Sequence, residues 1–152
     1  LWNEVIKPGV TITLEHKRHG YDVTTELSCR EVGSVTTAVD TFMNCIEVAV
    51  EIKGMPYEIC FHNGTKKFYF APGVGMIRTV QDHKDHTLQG IYDLVAYEGT
   101  GEGYMPLCEG MTRRYEAQFM REGYIAAVEY AVERDGEGKL CLIEDRCGIK
   151  KL

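Results

Sequence analysis

Strand-type alternation dominates the hydrophobic pattern of this chain. Val10-Thr11-Ile12-Thr13-Leu14 interleaves aliphatic residues with threonine, and Val23, Thr25, Leu27 and Cys29 share one face of the next run. The clearest strand is Thr41 to Lys53. There Phe42, Ile46, Val48, Val50 and Ile52 are expected to face one way, and Cys45, Glu47, Glu51 and Lys53 the other. One buried and one wet face is the pattern of an antiparallel sheet. Tyr57 to Phe61 and Lys66 to Phe70 are two aromatic-rich runs separated by Asn63-Gly64, a dipeptide suited to a two-residue hairpin because both its residues tolerate positive φ. Met76 to Val80 leads to a polar tip, Gln81 to His86, and Ile91 to Tyr97 returns from it with Tyr92, Leu94 and Ala96 on one face. Residues 41–98 therefore read as a β-meander.

The link between two of these strands is the most informative stretch. In Phe68-Tyr69-Phe70-Ala71-Pro72-Gly73-Val74-Gly75-Met76-Ile77-Arg78, Pro72 has no N–H for a ladder and the two glycines permit bent backbone. The spacing predicts a kinked or bulged corner in a curved sheet. Glu98-Gly99-Thr100-Gly101-Glu102-Gly103 is a glycine-rich loop at the seam of two subregions. Beyond it, Tyr124 to Glu133 is helical by the propensity of Ala and Glu, or a strand with Tyr124, Val128, Tyr130 and Val132 on one face. The Asp135-Gly136 turn leading to Leu140–Ile143 favours the strand.

An internal echo runs through the pattern. Gly9-Val-Thr-Ile-Thr-Leu-Glu15 resembles Gly110-Met-Thr-Arg-Arg-Tyr-Glu116, and Gly20-Tyr21, Glu26 and Gly33 match Gly123-Tyr124, Glu129 and Gly136 at identical spacing. The gaps between the two matched pieces differ by two residues. The expected organisation is a single β domain, residues 1–152, with one repeat from about 9 to 98 and the opening of a second from about 110 to 152. The fold class expected is all-β, mainly antiparallel: a curved meander sheet, half-barrel or open barrel with little helix.

Composition narrows the function classes. With 17 basic and 23 acidic side chains in 152 residues, the net charge of −6 argues against nucleic acid as a partner. No apolar run approaches the length of a membrane span, and no signal peptide opens the chain. Leu1 in place of an initiator Met reads as a processed form or an excised piece of a longer chain. Cysteines stand at 29, 45, 60, 108, 141 and 147 with no C-x-x-C pair and no zinc-finger spacing. Free, mostly buried thiols are expected; Cys141 and Cys147, close in sequence across an expected turn, are the first pair to consider for a disulfide.

The segment Thr41-Phe42-Met43-Asn44-Cys45-Ile46-Glu47-Val48, the motif FYFAPGVGMIR and the run Tyr92-Asp93-Leu94-Val95-Ala96-Tyr97 together carry a likeness. They resemble bacterial secreted or lipoprotein β-domains of unknown function, in which a GTFxNC strand precedes a Y-x-APGVG-aliphatic-aliphatic-Lys strand pair. Such domains are similar to the open, half-closed β-barrels of lipoprotein carriers. The likeness covers residues 35–98, with Asp40 where the pattern has Gly and Arg78 for Lys. It implies a cell-envelope or extracellular location and an apolar ligand groove, and supplies no catalytic residues.

Candidate chemistry is sparse. His16-x-x-His19 and Asp82-His83-Lys84-Asp85-His86 contain metal-ligand types, but residues three apart on a strand point to opposite faces, so no metal site and no cofactor is expected. Cys60 and His62 share a strand face and form the best local nucleophile–base pair. Glu144-Asp145 beside Arg146 reads as a salt-bridged turn. There is no G-x-S-x-G elbow and no P-loop. Phe61, Phe68, Phe70, Tyr92 and Tyr97 are the candidate ligand-binding residues, lining a concave face suited to a lipid or another apolar small molecule. The first expectation is thus a non-catalytic envelope domain binding such a molecule or a protein partner. The alternatives are a structural repeat module of a larger surface protein and a Cys/His-dependent enzyme.

Overall fold

The computed structural model describes residues 6–55, 64–83, 89–119 and 124–151. These form nine strands and no helix: β1 (Thr11–Arg18), β2 (Tyr21–Thr36), β3 (Thr41–Lys53), β4 (Gly64–Ala71), β5 (Gly75–His83), β6 (Gln89–Glu98), β7 (Thr112–Phe119), β8 (Tyr124–Arg134) and β9 (Leu140–Lys151). All lie in one antiparallel sheet in sequence order, with β1 and β9 at its two edges and no closure into a barrel. The meander expected for residues 41–98 thus extends along the whole described chain. Residues 124–134 form a strand, as the turn after them suggested.

Local chemistry explains the joints. Arg18 pairs with Tyr21 across His19-Gly20, both at positive φ (51° and 86°), the backbone a two-residue hairpin needs. Ala71 pairs with Gly75 across Pro72-Gly73-Val74, and the register shifts between Tyr69 and Phe70, so the expected corner is a bulged hairpin.

Four expectations are corrected. Asn44 takes φ 55°, and the β2–β3 register shifts twice beside it, so Phe42 does not share a cluster with Ile46. Phe42 and Cys45 join Val35, Ile77 and Leu94, whereas Ile46 and Val48 pack with Leu27, Cys29 and Phe70. In β6 a shift between Leu94 and Ala96 leaves Ala96 exposed and turns Tyr97 toward the core. Glu144, Asp145 and Arg146 lie within β9, not in a turn. Cys141 and Cys147 occupy that same strand, about 20 Å apart at its rise per residue. No disulfide spans such a distance.

The predicted strand Tyr57–Phe61 lies outside the described residues. Its expected partner, Lys66–Phe70, is flanked by β3 and β5 on its two sides, with Val50 opposite Lys66 and Ile46 opposite Phe70.

The outer face carries a cross-strand row of Arg30, Glu47, Tyr69, Arg78, Asp93 and Glu116, of which Tyr69 also packs against the cluster of Phe42, Ile77 and Leu94. Arg30 donates to both carboxylate oxygens of Glu47 at 2.8 and 3.0 Å, and Arg78 to both of Asp93 at 2.6 and 2.9 Å. Burial works to raise the pKa of Glu47, but hydrogen bonds from Arg30 and Tyr69 and the charges of Arg30 and Lys67 outweigh it, holding the carboxyl below its ordinary 4.5. Tyr69 is pushed up to about 12 by burial and by the Glu47 carboxylate beside it.

A lowered folded-state pKa stabilises the fold above the unfolded value, and that contribution disappears as pH falls through the folded one. Glu47→Gln should therefore destabilise the protein by about 1–2 kcal/mol at neutral pH, and the deficit should shrink between about pH 5 and 3. Urea unfolding of both proteins across that range checks it; a pH-independent deficit would contradict the account.

Candidate functional site

Cross-strand pairing places Cys29, Val48, Phe68, Thr79, Tyr92, Ala117 and Ala126 in one row on the opposite, inner face. Above this face runs the segment 99–111, between β6 and β7, here called the strap. Its anchors are specific. Gly73 N–H donates to Gly103 O at 2.7 Å, Gly101 N–H to Gly73 O at 2.9 Å, and the Tyr104 hydroxyl to Asn44 O at 2.8 Å. Gly101 has no room for a side chain: an added Cβ would lie 2.7 Å from Pro106 Cβ.

Arg113, buried at the start of β7, fixes the strap's first residues. Its guanidinium donates to Val74 O (2.7 Å), Glu98 O (2.7 Å), Thr112 O (2.6 Å) and Gly99 O (3.0 Å). The same group lies 5.5 Å from the Tyr97 ring centre. Burial lowers its pKa.

Between strap and sheet lies an apolar groove of about 350 Å³. Phe68, Phe70, Met76, Tyr115, Tyr130 and Leu142 form its floor and wall, and Met105-Pro106-Leu107 its rim. Tyr115 and Tyr130 meet edge to face with ring centres 5.8 Å apart. The Tyr115 hydroxyl is tied to Met76 O at 2.7 Å, and burial raises its pKa. An adjoining hollow of about 360 Å³ shares Phe68, Met76, Tyr115 and Tyr130, and adds Thr79, Gln81, Tyr92 and Glu144. The apolar groove is thus bordered by a hollow of mixed lining, a layout that suits a molecule with a hydrophobic body and a hydrated end.

Of the aromatic residues singled out from sequence, Phe68 and Phe70 line the groove, and Tyr92, with Phe68, the adjoining hollow. Tyr97 does not reach the groove: its ring packs 5.8 Å from Phe42 and faces Arg113. Phe61 lies outside the described residues. Sequence reasoning missed Met105, Leu107, Tyr115, Tyr130 and Leu142 as wall residues. The apolar trio Met105-Pro106-Leu107 beside a glycine-rich loop was the available signal, because a connecting loop that only faced water would have little use for it.

The other candidates give little. Cys60 and His62 lie outside the described residues, as does His86. Burial raises the pKa of Cys29 and Cys45, holding them as thiols. Among the described residues no three His, Cys, Asp or Glu side chains are grouped to hold a metal ion, and no helix is long and apolar enough to cross a membrane.

Comparison with known protein families, with curated proteins and with solved structures finds no match to this chain.

Proposed function

We propose that this is a non-catalytic β domain that holds an apolar small molecule, a lipid or a compound of similar character, in the groove beneath the strap. The observation that carries the reading is the groove itself: an open, largely hydrophobic depression of about 350 Å³ whose rim keeps Met105 44% and Leu107 54% exposed. Exposed apolar side chains bordering a concave surface are costly to leave in water, and a ligand that covers them recovers part of that cost. Thr79, Gln81, Tyr92 and Glu144 in the adjoining hollow offer polar groups to one end of the bound molecule and so give it a direction, with its hydrated group toward β5, β6 and β9. A place in the cell envelope or outside the cell belongs to the same proposal, and it rests on the motif resemblance alone.

The test uses rim residues because they can be changed without disturbing the core. Titration with a naphthalene sulfonate dye, whose emission rises in apolar surroundings, should show saturable binding to the native protein. Met105→Asp and Leu107→Asp should each weaken it about tenfold, equivalent to about 1.4 kcal/mol of lost apolar burial and added desolvation. Unchanged dye affinity in both variants would rule the groove out as the binding place.

A further inference from the structure

The groove contains a charge that its own side chains leave unbalanced. Arg113 is the one charged residue among the described residues that line it, and it is only 7% exposed. All its bonds go to neutral carbonyls: Nε–H to Val74 O, the Nη1 hydrogens to Glu98 O and Thr112 O, and one Nη2 hydrogen to Gly99 O. A guanidinium has five N–H donors, so one Nη2–H is left over. Among the described residues no Asp or Glu pairs with it, and its ionisable neighbours, Tyr115 and Tyr97, are phenols.

Three more accessible arginines each have a carboxylate. Arg30 holds Glu47, Arg78 holds Asp93 and Arg134 holds Glu109, with side chains 67%, 28% and 50% exposed. Water stabilises those charges in any case, so the buried one has the greatest need of a counter-charge. Carbonyl oxygens satisfy its hydrogen bonds without bringing a net charge. The face of the Tyr97 ring, 5.5 Å away, attracts it, but more weakly than burial of an ion penalises it.

We propose that the ligand of the groove is a carboxylic acid with an apolar chain, its carboxylate seated against Arg113. The inference rests on the proposed reading of the groove and names the class of molecule that enters it. One positive charge and one spare N–H match a singly charged carboxylate better than a doubly charged phosphate. Strand register gives the chain its direction. On β7, Ala117 lies level with Tyr92, which lies level with Thr79 on β5. Ala117 is four residues beyond Arg113, about 13 Å at the rise of a strand. The carboxylate therefore takes the Arg113 end, and the apolar body crosses Met76, Tyr115 and Tyr130. The far end of the molecule reaches the hollow beside Thr79 and Tyr92, where a hydroxyl or another neutral hydrated group fits.

The experiment titrates the full chain with decanoate, decanol and decyltrimethylammonium, three molecules with the same apolar chain and different charge. Near neutral pH, decanoate should bind at least about tenfold tighter than decanol, and the cation should show no saturable binding. Decanoate labelled with carbon-13 at its carboxyl should titrate about one pH unit lower when bound than when free, because the guanidinium favours the ionised form. Arg113→Met is read as a ratio: a slackened strap weakens acid and alcohol alike, whereas loss of the charge removes the preference between them. Arg113→Lys should keep that preference. If Arg113→Met does not fold, the carboxyl titration on the native protein decides. Equal affinity for decanoate and decanol, or an unshifted carboxyl, overturns the inference and leaves a groove for neutral apolar molecules. Decyl phosphate binding more tightly than decanoate overturns it as well and assigns the charge to a phosphate. If acid, alcohol and the naphthalene sulfonate dye all fail to bind, the reading of the groove falls and this inference falls with it.

Discussion

Arg113→Met is expected to cost about 2–4 kcal/mol and to loosen the strap over the groove. The guanidinium is buried, and its donors satisfy the carbonyls of Val74, Glu98, Thr112 and Gly99. Methionine fills much of the volume but donates nothing, so carbonyls in a water-poor place lose their partner together. Lysine recovers only part of the loss, because one ammonium on a flexible stem cannot reproduce a planar fork spread over three chain segments. Urea unfolding gives the stability change, and amide exchange of residues 99–111 shows whether the strap is released first. A loss below about 1 kcal/mol would mean that Arg113 is replaceable and that other contacts hold the strap.

Leu94→Ala should be comparably damaging, at about 3 kcal/mol, for a purely apolar reason. Leu94 is fully buried among Phe42, Cys45, Ile77 and Tyr115, beside the β6 bulge that fixes the local backbone. The cavity left behind cannot collapse readily when its walls are side chains of a hydrogen-bonded sheet. Met43→Ala is the control: Met43 is 62% exposed, and its loss should stay within about 0.5 kcal/mol. Equal effects at the two sites would mean that this cluster is not the core.

The architecture was legible in the sequence because period-2 alternation survives over most of the chain, and the bounds of β3 follow from it residue for residue. The alternation misleads only where an extra residue is inserted. Asn44 and the β6 shift near Val95 each change which side chains continue a face, and nothing in residue type alone announces a bulge at either place. Hence Phe42 was assigned to the wrong neighbours and Tyr97 to the groove. Part of the groove was legible too, since Phe68, Phe70 and Tyr92 are aromatics on β4 and β6, the two strands that flank β5. Much of the rest comes from β7, β8, β9 and the strap, which are distant in sequence and meet the aromatics only through the curvature of the sheet. Curvature is a sum of twists and bulges over many strands, and a local pattern does not carry it.

The strictly sequential strand order also bears on how the molecule assembles. Many all-β proteins fold slowly because strands far apart in the chain must find one another before any pairing is rewarded. Here each strand's partners are its immediate neighbours in sequence, so pairing can advance hairpin by hairpin from wherever it starts. The reverse process runs from the edges. Release of β8 and β9 leaves the two clusters centred on Leu94 and Val48 largely in place, whereas opening at β5 divides the sheet and separates Ile77 from its neighbours. Under mechanical load or transient heating, the chain should therefore open from its edge strands while the middle of the sheet holds.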